Sequence, residues 1–352
     1  MGETYAGAGV DIAAGEEAVA RIRERVRSTF RSEVLGDLGG FGGLFSFDPS
    51  RYRNPVLVSS TDGVGTKAAI AQQTGRFDTI GVDLVAMCVD DIATTGAEPL
   101  FFLDYVAVGR LDPGEVEQII AGVVEGCRQS RCALIGGEMA EHPGMMEPGH
   151  FDLAGFAVGV VERDRLVTGE RVRPGDLLVG FPSPGLRCNG YSLARRVLLD
   201  VAARPLDGPA WDGAHHSLAD ELLRPSVIYA PAVAALLDAV EVRALAHVTG
   251  GGLPGNVARV LPRSCDAVVR RGTWEVPPIF EELQRLGQVA EEEMTRTFNL
   301  GIGMVAVVAP DDVFAAHDAL RAAGVASVEI GEVVPGGGQV RFVGAPAADP
   351  NA

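Results

Sequence analysis

Lysine is almost missing from this chain: among 352 residues there is one, Lys67, and the other 29 basic residues are arginines. Positive charge as a whole is scarce, with 30 basic against 47 acidic side chains and a net charge of −17. That balance excludes the broad basic footprint that nucleic acids and anionic membranes require. An anionic small substrate must then be met by local devices: backbone amides, a metal ion, single cations. Paired cysteines are lacking too. Cys88, Cys127, Cys132, Cys188 and Cys265 are odd in number and form no C-x-x-C, so neither a disulfide framework nor a zinc site is suggested, and a reducing cytoplasm fits. No apolar run approaches the roughly 20 residues of a membrane span, and no charged segment followed by an apolar one opens the chain.

What is present suits two globular domains. A mass of 36.8 kDa and 47% hydrophobic residues allow each domain its own core. The most informative stretch is Ser59 to Lys67, SSTDGVGTK. Pro55 to Ser60 reads as a buried strand and Lys67 to Gln73 as a short helix, so Asp62-Gly63-Val64-Gly65-Thr66 joins a strand to a helix N-terminus. Unpaired amides and the helix dipole favour an anion there. Lys67 adds a compact charge, and Asp62 suits a hydrated Mg²⁺. The spacing is neither that of a Walker A loop nor of a dinucleotide fingerprint. From these residues alone, a plain turn with a surface lysine reads as well.

Gly15 to Phe30 carries Val19, Ile22 and Val26 at helical spacing. Gly36 to Gly43 follows as a glycine-rich loop with Phe41 as its apolar anchor, either covering a ligand or simply lying on the surface. Ile80 to Thr95 reads as a helix whose Asp83 and Asp90 share a face, with Asp91 about 100° further round. Two adjacent acids inside Val89-Asp90-Asp91-Ile92 imply that at least one points toward the sheet, where it needs a partner such as Mg²⁺. Leu100 to Val108 is a strand including Asp104, and Asp112-Pro113 opens another helix. Cys132 to Ile135 reads as a short strand running into the loop Gly136-Gly137-Glu138. The domain boundary is placed near residue 168, giving 1–168 and 169–352. Beyond it, strands at Asp176 to Phe181, Arg243 to Val248, Phe298 to Val308 and Ser327 to Val333 alternate with helices, which implies α/β layers. Thr249-Gly250-Gly251-Gly252, before a helix from Leu253, is a further candidate anion loop.

In this order, Ala8 to Ile12, Gly39 to Gly42, Thr61 to Lys67, Asp78 to Gly81, Gly96 to Phe101, Gly136 to Glu138, Asn189 to Leu193 and His247 to Gly252 resemble the phosphoribosylformylglycinamidine cyclo-ligase family of purine biosynthesis. The resemblance runs from about Tyr5 to Val343. It implies a two-domain α/β (α+β) subunit: an N-terminal sheet domain that pairs into a barrel across a homodimer, and a layered C-terminal α/β domain. It also implies ATP and Mg²⁺, with ring closure of formylglycinamidine ribonucleotide to aminoimidazole ribonucleotide, ADP and phosphate. On that reading Asp62 and Asp91 hold the metal, and Asp62 to Lys67 with Gly137 and Glu138 contact ATP. Lys67, Asp91 and His247 are the catalytic candidates; Asn189, Thr249, Gly250 and Gly251 meet the substrate. His247 either orients the formyl group or relays a proton, or is only structural. Asn189 either donates to substrate or caps the following helix, the cap being the simpler reading. Met139 replaces a usual Thr, and Arg187-Cys188 a usual His-Ser. Those departures leave room for a nucleotide-binding paralogue with altered activity, or for a small-molecule kinase on the same scaffold.

Overall fold

The computed structural model describes residues 4–344, which divide into two compact units. One holds the described residues through Ile92 together with Ala97–Arg163; the other holds Ala93–Gly96 and the described residues from Asp164 on.

In the first unit the elements run α1 (Ile12–Arg27), β1 (Val34–Leu35), β2 (Leu44–Phe45), β3 (Pro55–Gly63), α2 (Ala68–Thr74), α3 (Ile80–Ala93), β4 (Glu98–Val108), α4 (Pro113–Gln129), β5 (Ala133–Glu141) and β6 (Phe151–Glu162). Local chemistry sets the helix starts. The Asp11 carboxylate accepts from the Ala13 and Ala14 amides at the head of α1, and Asp112 does the same for Gly114 and Glu115, with Pro113 in the first turn of α4. The strands form one sheet in the order β3-β6-β4-β5. Its pairs are antiparallel except β4 and β5, which run parallel and are joined through α4. Helix α3 lies against this sheet. Every residue from Gly81 to Asp90 is buried, the behaviour of a helix that is apolar nearly all round.

The second unit contains β7 (Leu177–Pro182), α5 (Tyr191–Arg195), α6 (Leu218–Leu222), α7 (Ala230–Ala239), β8 (Val242–His247), α8 (Gly252–Ala258), β9 (Cys265–Arg270), α9 (Pro278–Gly287), α10 (Glu291–Thr297), β10 (Ile302–Val308), α11 (Val313–Ala322), β11 (Val328–Pro335) and β12 (Val340–Val343). Its six strands are ordered β12-β9-β11-β7-β10-β8, antiparallel apart from β12 with β9. Leu178, Val257, Val269, Ile302, Val305 and Ile330 belong to the core cluster on this sheet.

Four local expectations change. β3 extends through Asp62 and Gly63, so the first two of the five expected loop residues are strand. A single 3-10 turn, Gly65–Lys67, then leads into α2. β5 likewise continues through Gly136, Gly137 and Glu138, which lie within an edge strand and not in a loop after it. Phe41 is fully exposed and anchors nothing, because the glycine-rich segment is fastened elsewhere, as described below. Asn189 does not cap α5: the N-cap is Gly190, with no side-chain cap bond.

Candidate active site

Strand register brings the two glycine motifs of the first unit to one level. Asp62, Gly155, Asp104 and Gly137 stand in one row across β3, β6, β4 and β5, and Gly63, Ala154, Tyr105 and Glu138 form the next. Three strand spacings, roughly 14 Å, separate the ends of a row. Asp62 is exposed, and its carboxylate accepts from the Gly63 amide at 2.7 Å. Two residues earlier on the same face, the Ser60 hydroxyl donates to Asp91 of α3 at 3.2 Å. Asp62 and Asp91 therefore border one patch. The buried Cys88 thiol reports both: burial pushes its pKa far up, and the charges of Asp62 and Asp91 add to the rise. The other end of the motif turns inward. Gly65 takes a left-handed φ of 55°, as glycine readily does, and two residues on Lys67 is fully buried with its ammonium 2.5 Å from the buried Asp83 carboxylate. The lysine thus faces α3 and not the solvent.

Beside this row a cavity of about 830 Å³ lies between α1, α4 and the β4–β5 edge, bordered by the glycine-rich segment. Val19, Ile22, Val116 and Ile120 give it apolar walls, and Asp104, Gly137 and Glu138 supply its polar floor. The glycine-rich segment is held at its start, where Arg23 and Arg27 of α1 both bond Asp37. Arg27 and the Leu38 amide hold the Asp37 carboxyl well below the usual carboxylate range. Asp104 has no place among the sequence candidates. Its Oδ1 would lie 1.9 Å from a Cβ at position 137, so only glycine lets the carboxyl lean over β5. Burial raises that carboxyl to about 7, partly opposed by its own backbone amide.

In the second unit, the Asn189 amide nitrogen is 3.8 Å from where a Gly250 Cβ would stand, so two candidate substrate residues are neighbours. Asn256, which no motif marks, holds the Thr249–Gly252 turn by donating to the carbonyls of Thr249, Gly250 and Gly252 at 3.2, 3.3 and 2.9 Å. His247 is buried at the end of β8, with Nε2 3.0 Å from the Arg187 guanidinium.

Among the described residues no three His, Cys, Asp or Glu side chains group into a metal cage. Two carboxylates on one patch nonetheless fit Mg²⁺, which keeps waters and takes one or two carboxylates along with substrate phosphate oxygens. No described helix is long and apolar enough to cross a membrane.

Residues 50–161 match the family described as AIR synthase related protein, N-terminal domain, and residues 173–344 its C-terminal domain. The chain is thus a two-domain member of the AIR synthase related proteins. Its fold is shared by thiamine-monophosphate kinase from Stenotrophomonas maltophilia, with a TM-score of 0.70 at 21% identity, over 93% of this chain and 97% of that one. A hydrogenase maturation protein HypE in complex with ATP matches with a TM-score of 0.61 at 18% identity, over 92% and 88%. Within that class, the phosphoribosylformylglycinamidine cyclo-ligase of Anaeromyxobacter sp. (strain K) is 56% identical over 337 residues, covering 96% of this chain and 97% of the relative. This chain belongs to the phosphoribosylformylglycinamidine cyclo-ligase family.

Proposed function

We propose that this protein closes the imidazole ring of purine biosynthesis, converting formylglycinamidine ribonucleotide and ATP to 5-aminoimidazole ribonucleotide, ADP and phosphate. The observation that carries this reading is end-to-end similarity at 56% identity to a relative named for that activity, with both family domains matched. A formamide carbon is a poor electrophile until its oxygen becomes a leaving group. Transfer of the terminal phosphoryl group of ATP forms a P–O bond to the formyl oxygen and breaks the bond to ADP. The amidine nitrogen then attacks the carbon, phosphate departs with the former formyl oxygen, and a proton is lost as the ring closes.

Such a transfer needs positioning and charge neutralisation more than covalent help. Asp62 and Asp91 are the residues that would hold Mg²⁺, which when bound offsets phosphate charge. The Gly63–Thr66 backbone, Gly137 and Glu138 are assigned to ATP, and the adjoining cavity is large enough and apolar enough for a nucleotide base. Lys67 supports the site from beneath, through Asp83, by fixing the turn between β3 and α2. Asn189, Thr249, Gly250 and Gly251 are assigned to the ribonucleotide and His247 to its formyl group. The working unit is a cytoplasmic homodimer.

Purified protein with ATP, Mg²⁺ and formylglycinamidine ribonucleotide should yield ADP and the aminoimidazole in equal amounts. ADP without ring product would make it a kinase, and ATP binding with neither product a paralogue of altered function; both would overturn the proposal. Asp91→Asn should lower kcat at least about tenfold with the fold intact, since it removes charge stabilisation at the phosphoryl group.

A further inference from the structure

Arg187 is a buried cation in a conformation that arginine seldom adopts. Its φ is 65°, in the left-handed region, and its side chain is buried. Backbone strain of this kind persists where surroundings over-determine it. Here they do. Nη1 donates to the Val227 carbonyl at 2.6 Å, Nη2 lies 3.0 Å from His247 Nε2, and the guanidinium carbon sits 4.8 Å from the centre of the Tyr229 ring. Tyr229 is itself fixed, its hydroxyl donating to the Pro182 carbonyl at 2.8 Å.

Guanidinium has only donors and keeps its charge at any pH a protein tolerates. In the contact with His247 the arginine must therefore donate, and Nε2 must accept with its lone pair. A neutral imidazole whose Nε2 accepts carries its proton on Nδ1. We propose that Arg187 is a positioning residue that locks His247 as the Nδ1–H tautomer. With Nε2 accepting from the arginine, His247 does not serve ring closure as a base through Nε2. The second half rests on the proposed function; the tautomer does not.

The full-length protein labelled with ¹⁵N-histidine tests the tautomer directly. His247 resonances are identified by their loss in His247→Gln, and two-bond couplings from the ring protons tell the two nitrogens apart. The expected result is a pyrrole-like Nδ1 and a pyridine-like Nε2 in the wild type at neutral pH, without substrate or turnover. In Arg187→Met the ring should leave that single state and exchange between tautomers, and kcat should fall more than KM rises. A protonated Nε2 in the wild type overturns the proposal, even if Arg187→Met fails to fold. An unchanged Nδ1–H tautomer in a folded Arg187→Met overturns the role of the arginine. Loss of ring-closing activity in the wild type, with the expected spectrum, would instead count against the functional reading alone.

Discussion

Lys67 and Asp83 form an ion pair with no exposed side-chain surface, and a pair so buried is costly to break. Removing one partner leaves an uncompensated charge in the interior, a loss of about 3–5 kcal/mol, whereas replacing both by apolar groups of similar volume is often neutral. Lys67→Met should therefore destabilise the first unit by about that amount in urea titration, and adding Asp83→Leu should restore most of it. If the double variant is no better than the single one, the ammonium acts outside this pair. Asp104 makes a prediction of opposite kind. Its folded pKa, about 7, lies above the ordinary carboxylate value of 3.8, so between those values the folded state binds more protons than the unfolded one. Stability contributed by the protonated acid is whole below pH 4 and is lost as pH rises to 7. Asp104→Asn should flatten that part of the stability curve measured by denaturation from pH 4 to 8. An unchanged slope would mean the carboxyl does not titrate there.

Edges of elements, more than their middles, separate sequence expectation from structure. Apolar runs such as Leu100–Val108, and caps such as Asp112, act through near neighbours and were legible. β5 past Ile135 was not: Gly136-Gly137 weakens a strand on propensity, and the reason for Gly137, the Asp104 carboxyl, lies on a different strand. Asp62 and Asp91 were legible as acids at the ends of apolar segments, but their convergence depends on Ser60 bonding α3. Lys67 stood out by composition, while its inward direction is set by Asp83, on another helix. Strand β9 matches none of the strands expected from the sequence. Asn256 is the plainest omission, since an asparagine inside a short helix carries no periodic signal, yet it bonds three carbonyls of the Thr249–Gly252 turn. Asn256→Ala leaves those carbonyls without this donor, at about 1–3 kcal/mol. The expected outcome is a raised KM for the ribonucleotide with little change in KM for ATP; equal effects on both would show general unfolding and not loss of a binding turn.

For the whole molecule, the first unit's sheet poses the question of what covers its outer face. Ser60 and Asp62 turn toward α3, so strand alternation turns Leu57, Ser59 and Thr61 the other way, with Phe156 opposite Thr61 and Tyr105 further along. Leu57 is 66% exposed, Phe156 40% and Tyr105 38%, a largely apolar patch edged by Glu138, which pairs with Tyr105, on a chain of net charge −17. Two such chains repel at long range, yet at physiological salt that repulsion fades beyond about 8 Å, while an apolar face gains on contact. A two-fold pairing uses the same patch on both copies, so each substitution counts twice. With Phe156 40% exposed, Phe156→Glu removes roughly 0.6–1.2 kcal/mol of burial per copy, about 1.2–2.4 for the pair, before any cost of the new charge, enough to weaken dimerisation by about tenfold or more. Sedimentation equilibrium should find a wild-type dimer that tightens as salt is raised, and a largely monomeric Phe156→Glu at the same concentration. A dimer unaffected by the glutamate would place the subunit contact on a different surface.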